Sequence, residues 1–166
     1  VAVENYLHMF QQLYGFDYVV LRPSNPYGAR QGHYGVQGVI GTFLNKTLKG
    51  EELDIWGDGG LVRDFIYVKD LAGLCVAAGE SDKVGVYNAG SGRGHSIEEV
   101  RGYVEEAVGR KLVVNRRESR NFDVPKVVLD INKTCHAFNW RPAVDLASGI
   151  KITWEMMTNS AGLPTK

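Results

Sequence analysis

The sequence predicts an α/β fold with parallel strands and amphipathic helices in alternation. Three observations carry this. Residues 18–21 (Tyr18, Val19, Val20, Leu21) and 84–88 read as strands buried on both faces, the mark of a parallel sheet. Around them, apolar residues recur at helical spacing. The first apolar run then ends in Arg22-Pro23-Ser24-Asn25-Pro26-Tyr27-Gly28. Two prolines and a glycine fix a loop at the C-terminal end of a strand, where α/β sheets keep their ligands.

Composition bounds the reading. At 166 residues, 44% hydrophobic and 23% charged, the chain suits one globular unit with a real core. Nineteen basic residues balance nineteen acidic ones, which gives no reason to expect a nucleic-acid or membrane surface. No apolar run reaches transmembrane length and no signal-peptide pattern is present. Cys75 and Cys135 form no CxxC pair and sit in helix-like apolar patterns, so both are expected as buried free thiols in a reducing compartment, the cytoplasm. His8, His33, His95 and His136 lack metal-ligand spacing, and no metal is expected. The chain opens at Val1, without methionine and inside a helical pattern, as a piece of something longer would.

The elements follow in order. Val3, Leu7, Phe10, Leu13 and Tyr14 mark a first helix that Gly15 ends. After the first strand and its loop comes 29–35, holding His33 and Tyr34. A helix from about Gly38 to Lys49 follows, with Val39, Ile40, Phe43, Leu44 and Leu48 as its buried stripe and Gly50 as its stop. Residues 53–56 and 61–66 are rich in β-formers, and Gly57-Asp58-Gly59-Gly60 between them reads as a hairpin turn. A helix over 70–79 and the strand 84–88 come next. Ser96 and Glu99 form a capping box for a helix running to Gly109. Residues 112–114 predict a short strand, Asp130 a cap for a helix to Phe138, and Asp145 the start of a last amphipathic helix. The tail from Asn159 is expected to be loose.

The stretch 54–70 carries the main chemistry. Arg63 follows the turn, and a guanidinium there can fork onto two oxygens of a diphosphate. Ile55 and Trp56 offer an apolar wall to a base. An ordinary surface hairpin with an exposed arginine is the bland alternative. Asn25 has amide donors and a carbonyl to offer a ligand, or is a turn residue. Arg116, Arg117 and Arg120 make a basic run that is ordinarily a solvated face. Arg120 with Asp123, before Val124-Pro125, can hold a phosphate and a sugar hydroxyl together. Gly90-Ser91-Gly92-Arg93-Gly94-His95 suggests a phosphate cradle, but His95 stands where G-x-G-x-x-G needs glycine, so a structural turn is expected.

The order LRPSNPYG, QGVIGTFL, IWGDGGLVRDFIYVKDLA, YNAGSG with a capped helix, R-x-x-D-x-P and FNWRP resembles the extended short-chain dehydrogenase/reductases. Within them it is similar to the NAD-dependent nucleotide-sugar epimerases and dehydratases, over about residues 1–158. The resemblance implies the C-terminal portion of a Rossmann-type fold with a small α/β substrate-binding domain. Residues 1–35 and about 62–92 would belong to the Rossmann part, 36–61 and 93–158 to the substrate-binding part. It implies that Pro23 and Ser24 lie beside the nicotinamide and the sugar. Asn25 would bond diphosphate or sugar, and Gln37 and Val39 would border the nucleotide. Ile55 and Trp56 would flank the base, Arg63 would grip the diphosphate, and Arg120 with Asp123 would hold phosphate and ribose. UDP is the nucleotide by analogy.

The same family needs a glycine-rich dinucleotide loop, an upstream Ser or Thr, and a Tyr-x-x-x-Lys pair whose tyrosine is the acid/base. None of the eight tyrosines here has lysine four residues later, so no catalytic residue is assigned. In the family, the residues after that lysine look like Val1–Tyr6. The expectation is therefore the substrate-binding half of a parent in which NAD takes a hydride from the sugar and returns it. This chain alone would bind no NAD and turn nothing over. The alternatives are a stand-alone module that holds a nucleotide sugar or a protein, and a structural remnant without ligand. An open apolar edge at 18–21 and an uncovered first helix predict homo-oligomers.

Overall fold

A computed structural model describes residues 2–31, 38–120 and 122–160, with Ser160 in its backbone only. The first helix, α1 (Ala2–Tyr14), leads through Gly15, at φ 68°, into strand β1 (Val19–Pro23). Strand β2 (Asn25–Tyr27) follows after one residue. Helix α2 (Val39–Lys49) ends as expected on Gly50, whose left-handed backbone lets its N–H cap the last turn. Strands β3 (Leu53–Trp56) and β4 (Val62–Tyr67) lead to helix α3 (Val68–Gly79), which starts two residues before Asp70. Then come β5 (Gly85–Ala89), β6 (Gly94–Ser96) and α4 (Ile97–Val108). The capping box is formed: Glu99 N–H donates to Ser96 Oγ and Ser96 N–H to Glu99 Oε2. The chain finishes with β7 (Val114–Arg117), β8 (Lys126–Val127), α5 (Asn132–Phe138) and α6 (Leu146–Ser160).

Three small sheets hold these strands. β1 pairs parallel with β5, Val19 beside Gly85 through Pro23 beside Ala89. β4 lies between β2, parallel, and β6, antiparallel, and also pairs with β8. β3 pairs parallel with β7. The expected hairpin is therefore corrected. Its turn is present, with Gly57 and Gly59 at positive φ and Gly60 N–H donating to Asp58 Oδ1 at 2.8 Å. Its two strands do not pair with each other, because each finds a longer-range ladder. The turn instead serves α4: Gly59 and Leu61 carbonyls accept the Glu98 and Ile97 N–H groups.

The core sits where α2, α4 and α6 close over β3 and β4, around Ile40, Leu44, Leu53, Val100, Val104 and Ile150. By contrast β1 is only half-buried and α1 buries no residue, so the fully buried first strand is not found. The second thiol, Cys135, is buried as expected, but Cys75 is exposed, on a side of α3 left uncovered among the described residues. Asp130 does not cap α5 at its formal N-cap, which is Ile131, although Asp130 Oδ1 accepts the Asn132 N–H at 2.9 Å. Arg116 and Arg117 lie within β7 and pair with Glu98 and Asp54, so the basic run is not a plain solvated face. Helix α6 runs through Ser160, beyond the expected start of a loose tail at Asn159; 161–166 lie outside the described residues. No helix among the described residues is long and apolar enough to cross a membrane.

Candidate functional site

One buried carboxylate organises the loops at the C-terminal ends of β1 and β5. Asp64 is 1% exposed. Its Oδ1 accepts from the Ser91 N–H at 2.8 Å, the Ser91 hydroxyl at 2.7 Å and the Ser24 hydroxyl at 3.3 Å. Its Oδ2 accepts from the N–H groups of Gly92 at 3.1 Å and Leu129 at 3.2 Å. Five donors replace the water that a buried charge loses. The glycine-rich loop is thus a structural turn, as expected, and its N–H groups cradle a carboxylate of the protein itself. A Cβ at Gly90 would fall 3.1 Å from the Asp64 carboxyl carbon, so that position needs glycine. The sequence reading missed Asp64. A signal existed: Val62, Asp64 and Ile66 share one strand face, and an acid on an inward face must be paired.

Beside this hub, Asn25, Val39 and Arg63 line one cavity of about 220 Å³. Asn25 Nδ2 donates to the Asp64 carbonyl at 2.7 Å, which leaves its own carbonyl for a ligand. Arg63 Nη1 donates to the Val62 carbonyl at 2.8 Å and the Val124 carbonyl at 2.7 Å. Its remaining nitrogens are left to serve an anion. The wall opposite is the start of α2, where Gly38 is the N-cap and no side chain caps the turn, so backbone N–H groups stay available. Gln31 also lines the cavity, and its Oε1 is shielded from solvent without a partner. Sequence reasoning missed it. Gln37, His33 and Tyr34 lie outside the described residues.

A second group lies at the end of β3. Trp56 is 38% exposed, and the Arg120 guanidinium carbon sits 4.0 Å from its ring centroid. Asp123 is two positions past the undescribed Asn121, and its N–H closes a turn on the Arg120 carbonyl at 3.3 Å. Ile55 is 1% exposed and belongs to the core, so only its backbone borders this surface. Neighbouring Asp54 accepts from Lys46 at 2.6 Å and Arg117 at 2.9 Å, and these bonds hold its carboxyl below the usual range. The two groups are joined by the Arg63–Val124 bond, which ties the cavity to the loop carrying Arg120 and Asp123. Pro23 and Ser24 end β1 on the same side, with Ser24 held by Asp64.

One tyrosine among the described residues, Tyr27, faces the cavity beside Asn25 and Arg63. Burial, aided by the Asp145 charge, pushes its phenol well up, and its hydroxyl is shielded without a partner.

Comparison with known proteins fits this arrangement. The family model for the NAD dependent epimerase/dehydratase family matches residues 1–90. A UDP-glucose 4-epimerase of Mycolicibacterium smegmatis is 34% identical over 162 residues, covering 97% of this chain and 52% of its own length. A UDP-glucose 4-epimerase of Thermotoga maritima, solved with UDP-glucose, superposes with a TM-score of 0.91 at 37% identity, over 96% of this chain and 52% of that one. A UDP-glucose 4-epimerase of Thermus thermophilus, solved with NAD, gives a TM-score of 0.84 at 38% identity, over 93% and 50%. The chain therefore spans about half the length of the relatives it matches. With more than half of its residues under the family model and its parallel α/β elements superposing on solved members, the chain belongs to the NAD dependent epimerase/dehydratase family.

Proposed function

We propose that this chain is the nucleotide-sugar-binding half of an NAD-dependent epimerase or dehydratase, with a UDP-sugar as its ligand. The convergence of Asn25, Val39 and Arg63 on one cavity carries this reading. In it, Arg63 forks onto the diphosphate with its free nitrogens and the uncapped start of α2 adds N–H donors. Asn25 offers its carbonyl to the ligand. Gln37 and Val39 border the nucleotide. Trp56 supplies the flat wall for the base, with Ile55 behind it. Arg120 leaves the indole to hold phosphate, and Asp123 accepts a ribose hydroxyl. Residues 36–61 and 93–158 form the substrate-binding part on this reading, and the rest belongs to the Rossmann sheet and its helices.

The described residues do not fit a dinucleotide by themselves. Their glycine-rich loop spends the Ser91 and Gly92 N–H groups on Asp64, and only Pro23 and Ser24 remain to border a nicotinamide. NAD belongs to the parent on this reading, and the 166 residues alone neither hold it nor turn over. Chains associate with one another through α1 and the open side of β1. The two free thiols suit the cytoplasm.

A stand-alone module that holds a nucleotide sugar or a protein is the second reading. Incubation with UDP-glucose and NAD tests the first reading. No interconverted sugar is expected, and turnover by the pure chain overturns it. Asn25→Ala should weaken UDP-glucose binding about tenfold, or ~1.4 kcal/mol.

A further inference from the structure

A larger cleft, of about 540 Å³, lies between the loop after β5, α5 and the start of α6. Its size falls among small-molecule sites. Two arginines line it, Arg93 and Arg141, both exposed. Four other arginines are paired with carboxylates: Arg22 with Glu4, Arg101 with Glu98 and Glu105, Arg116 with Glu98 and Arg117 with Asp54. The guanidinium groups of Arg93 and Arg141 have no hydrogen bond or ion pair among the described residues.

One acid, Asp145, also lines the cleft, and its carboxylate is engaged by the first turn of its own helix. Asp145 accepts the Ser148 N–H at 2.9 Å and the Ser148 hydroxyl at 2.8 Å. Glu99 is taken by Ser96, and Asp64 by the loop beneath Arg93. His95 completes the lining, its ring edge-on to Tyr103 at 5.8 Å. The His95 Nδ1 is shielded and unpartnered.

We propose that this cleft binds the oxyanion of a small phosphorylated or carboxylated metabolite, gripped by Arg93 and Arg141 with His95 as a third donor. Guanidinium forks match both oxyanions. The cleft shares Phe65 with the cavity beside Asn25 and Arg63, but Arg93, His95 and Arg141 line only the cleft, so the proposal stands whether or not the nucleotide-sugar reading holds.

The test is a titration of the whole chain with inorganic phosphate and, separately, succinate, against chloride at equal ionic strength. The His95 imidazole proton signals report binding, identified by their loss in His95→Gln. Saturable shifts with at least one of the two oxyanions are expected, phosphate alone marking a phosphorylated ligand and succinate alone a carboxylated one. Arg93→Ala with Arg141→Ala should weaken the response at least tenfold. Circular dichroism checks that the variants fold. No saturable shift with either anion, or an undiminished one in the double variant, overturns the proposal.

Discussion

The Arg120 guanidinium carbon lies over the Trp56 indole, 4.0 Å from the ring centroid, on the ring proposed to take a nucleotide base. Such a contact is worth about 0.5–1 kcal/mol at an exposed site, too little to resist displacement by a stacking base. UDP is therefore expected to change tryptophan emission, with the change abolished in Trp56→Phe. A change of the same size in Trp56→Phe would assign it to Trp140 or Trp154 and refute the stacking role. Arg120→Ala should cost less than ~1 kcal/mol of stability.

Asp64 makes the opposite prediction. Its removal strands the N–H groups of Ser91, Gly92 and Leu129 in the interior. Each orphaned donor costs about 1–3 kcal/mol, so Asp64→Ala should destabilise the chain by ~3 kcal/mol or more in urea unfolding. A loss below ~1 kcal/mol would show that water satisfies the loop instead.

Helix α1 presents Val3, Tyr6, Phe10 and Leu13 to solvent at 71%, 60%, 38% and 64% exposure. Leu7 is half-buried, and among the described residues β1 has only β5 as its ladder partner. Patches of this kind favour association. Sedimentation should show concentration-dependent oligomers that Phe10→Glu with Leu13→Glu reduces. A clean monomer at high concentration would contradict this.

Acid should unfold the protein through a defined set of carboxylates. The Ser96 N–H and hydroxyl hold Glu99 below its ordinary 4.5, and the Ser148 N–H and hydroxyl hold Asp145 below 3.8. Burial raises Glu105, but the Leu112 N–H, Lys111 and Arg101 outweigh it and the net direction is down. With folded values below the unfolded ones, the unfolded chain takes up protons first as pH falls. Stability is whole above the ordinary carboxylate values and is lost as pH drops through the folded ones. Glu99→Gln with Asp145→Asn should flatten that loss between pH 4.5 and lower values, measured by urea midpoints. An unchanged acid slope would exclude these caps as its source.

What the sequence disclosed was local. Gly50, the Ser96–Glu99 box and Asp145 mark helix ends by chemistry confined to one turn, and the structure bears them out. Long-range pairing was not legible. The turn at 57–60 looks like a hairpin from its residues, and only the ladder with β7, some sixty residues on, sends β3 elsewhere. Asp64 shows the same limit, since its five donors come from three distant segments. At the candidate site, Asn25 and Arg63, singled out by residue type, line one cavity, and Arg120 lies over Trp56. The burial of Ile55 beside exposed Trp56 follows from strand alternation once β3 is placed.

Calorimetric titration with UDP and UDP-glucose, run on the chain and on Arg63→Ala, tests the central claim most directly. Arg63 both faces the cavity and ties down the loop carrying Arg120 and Asp123. Saturable binding by the chain, weakened tenfold or more in Arg63→Ala (~1.4 kcal/mol or greater), is the expected result. No heat of binding from the chain with either ligand, or equal affinity in the variant, would contradict it.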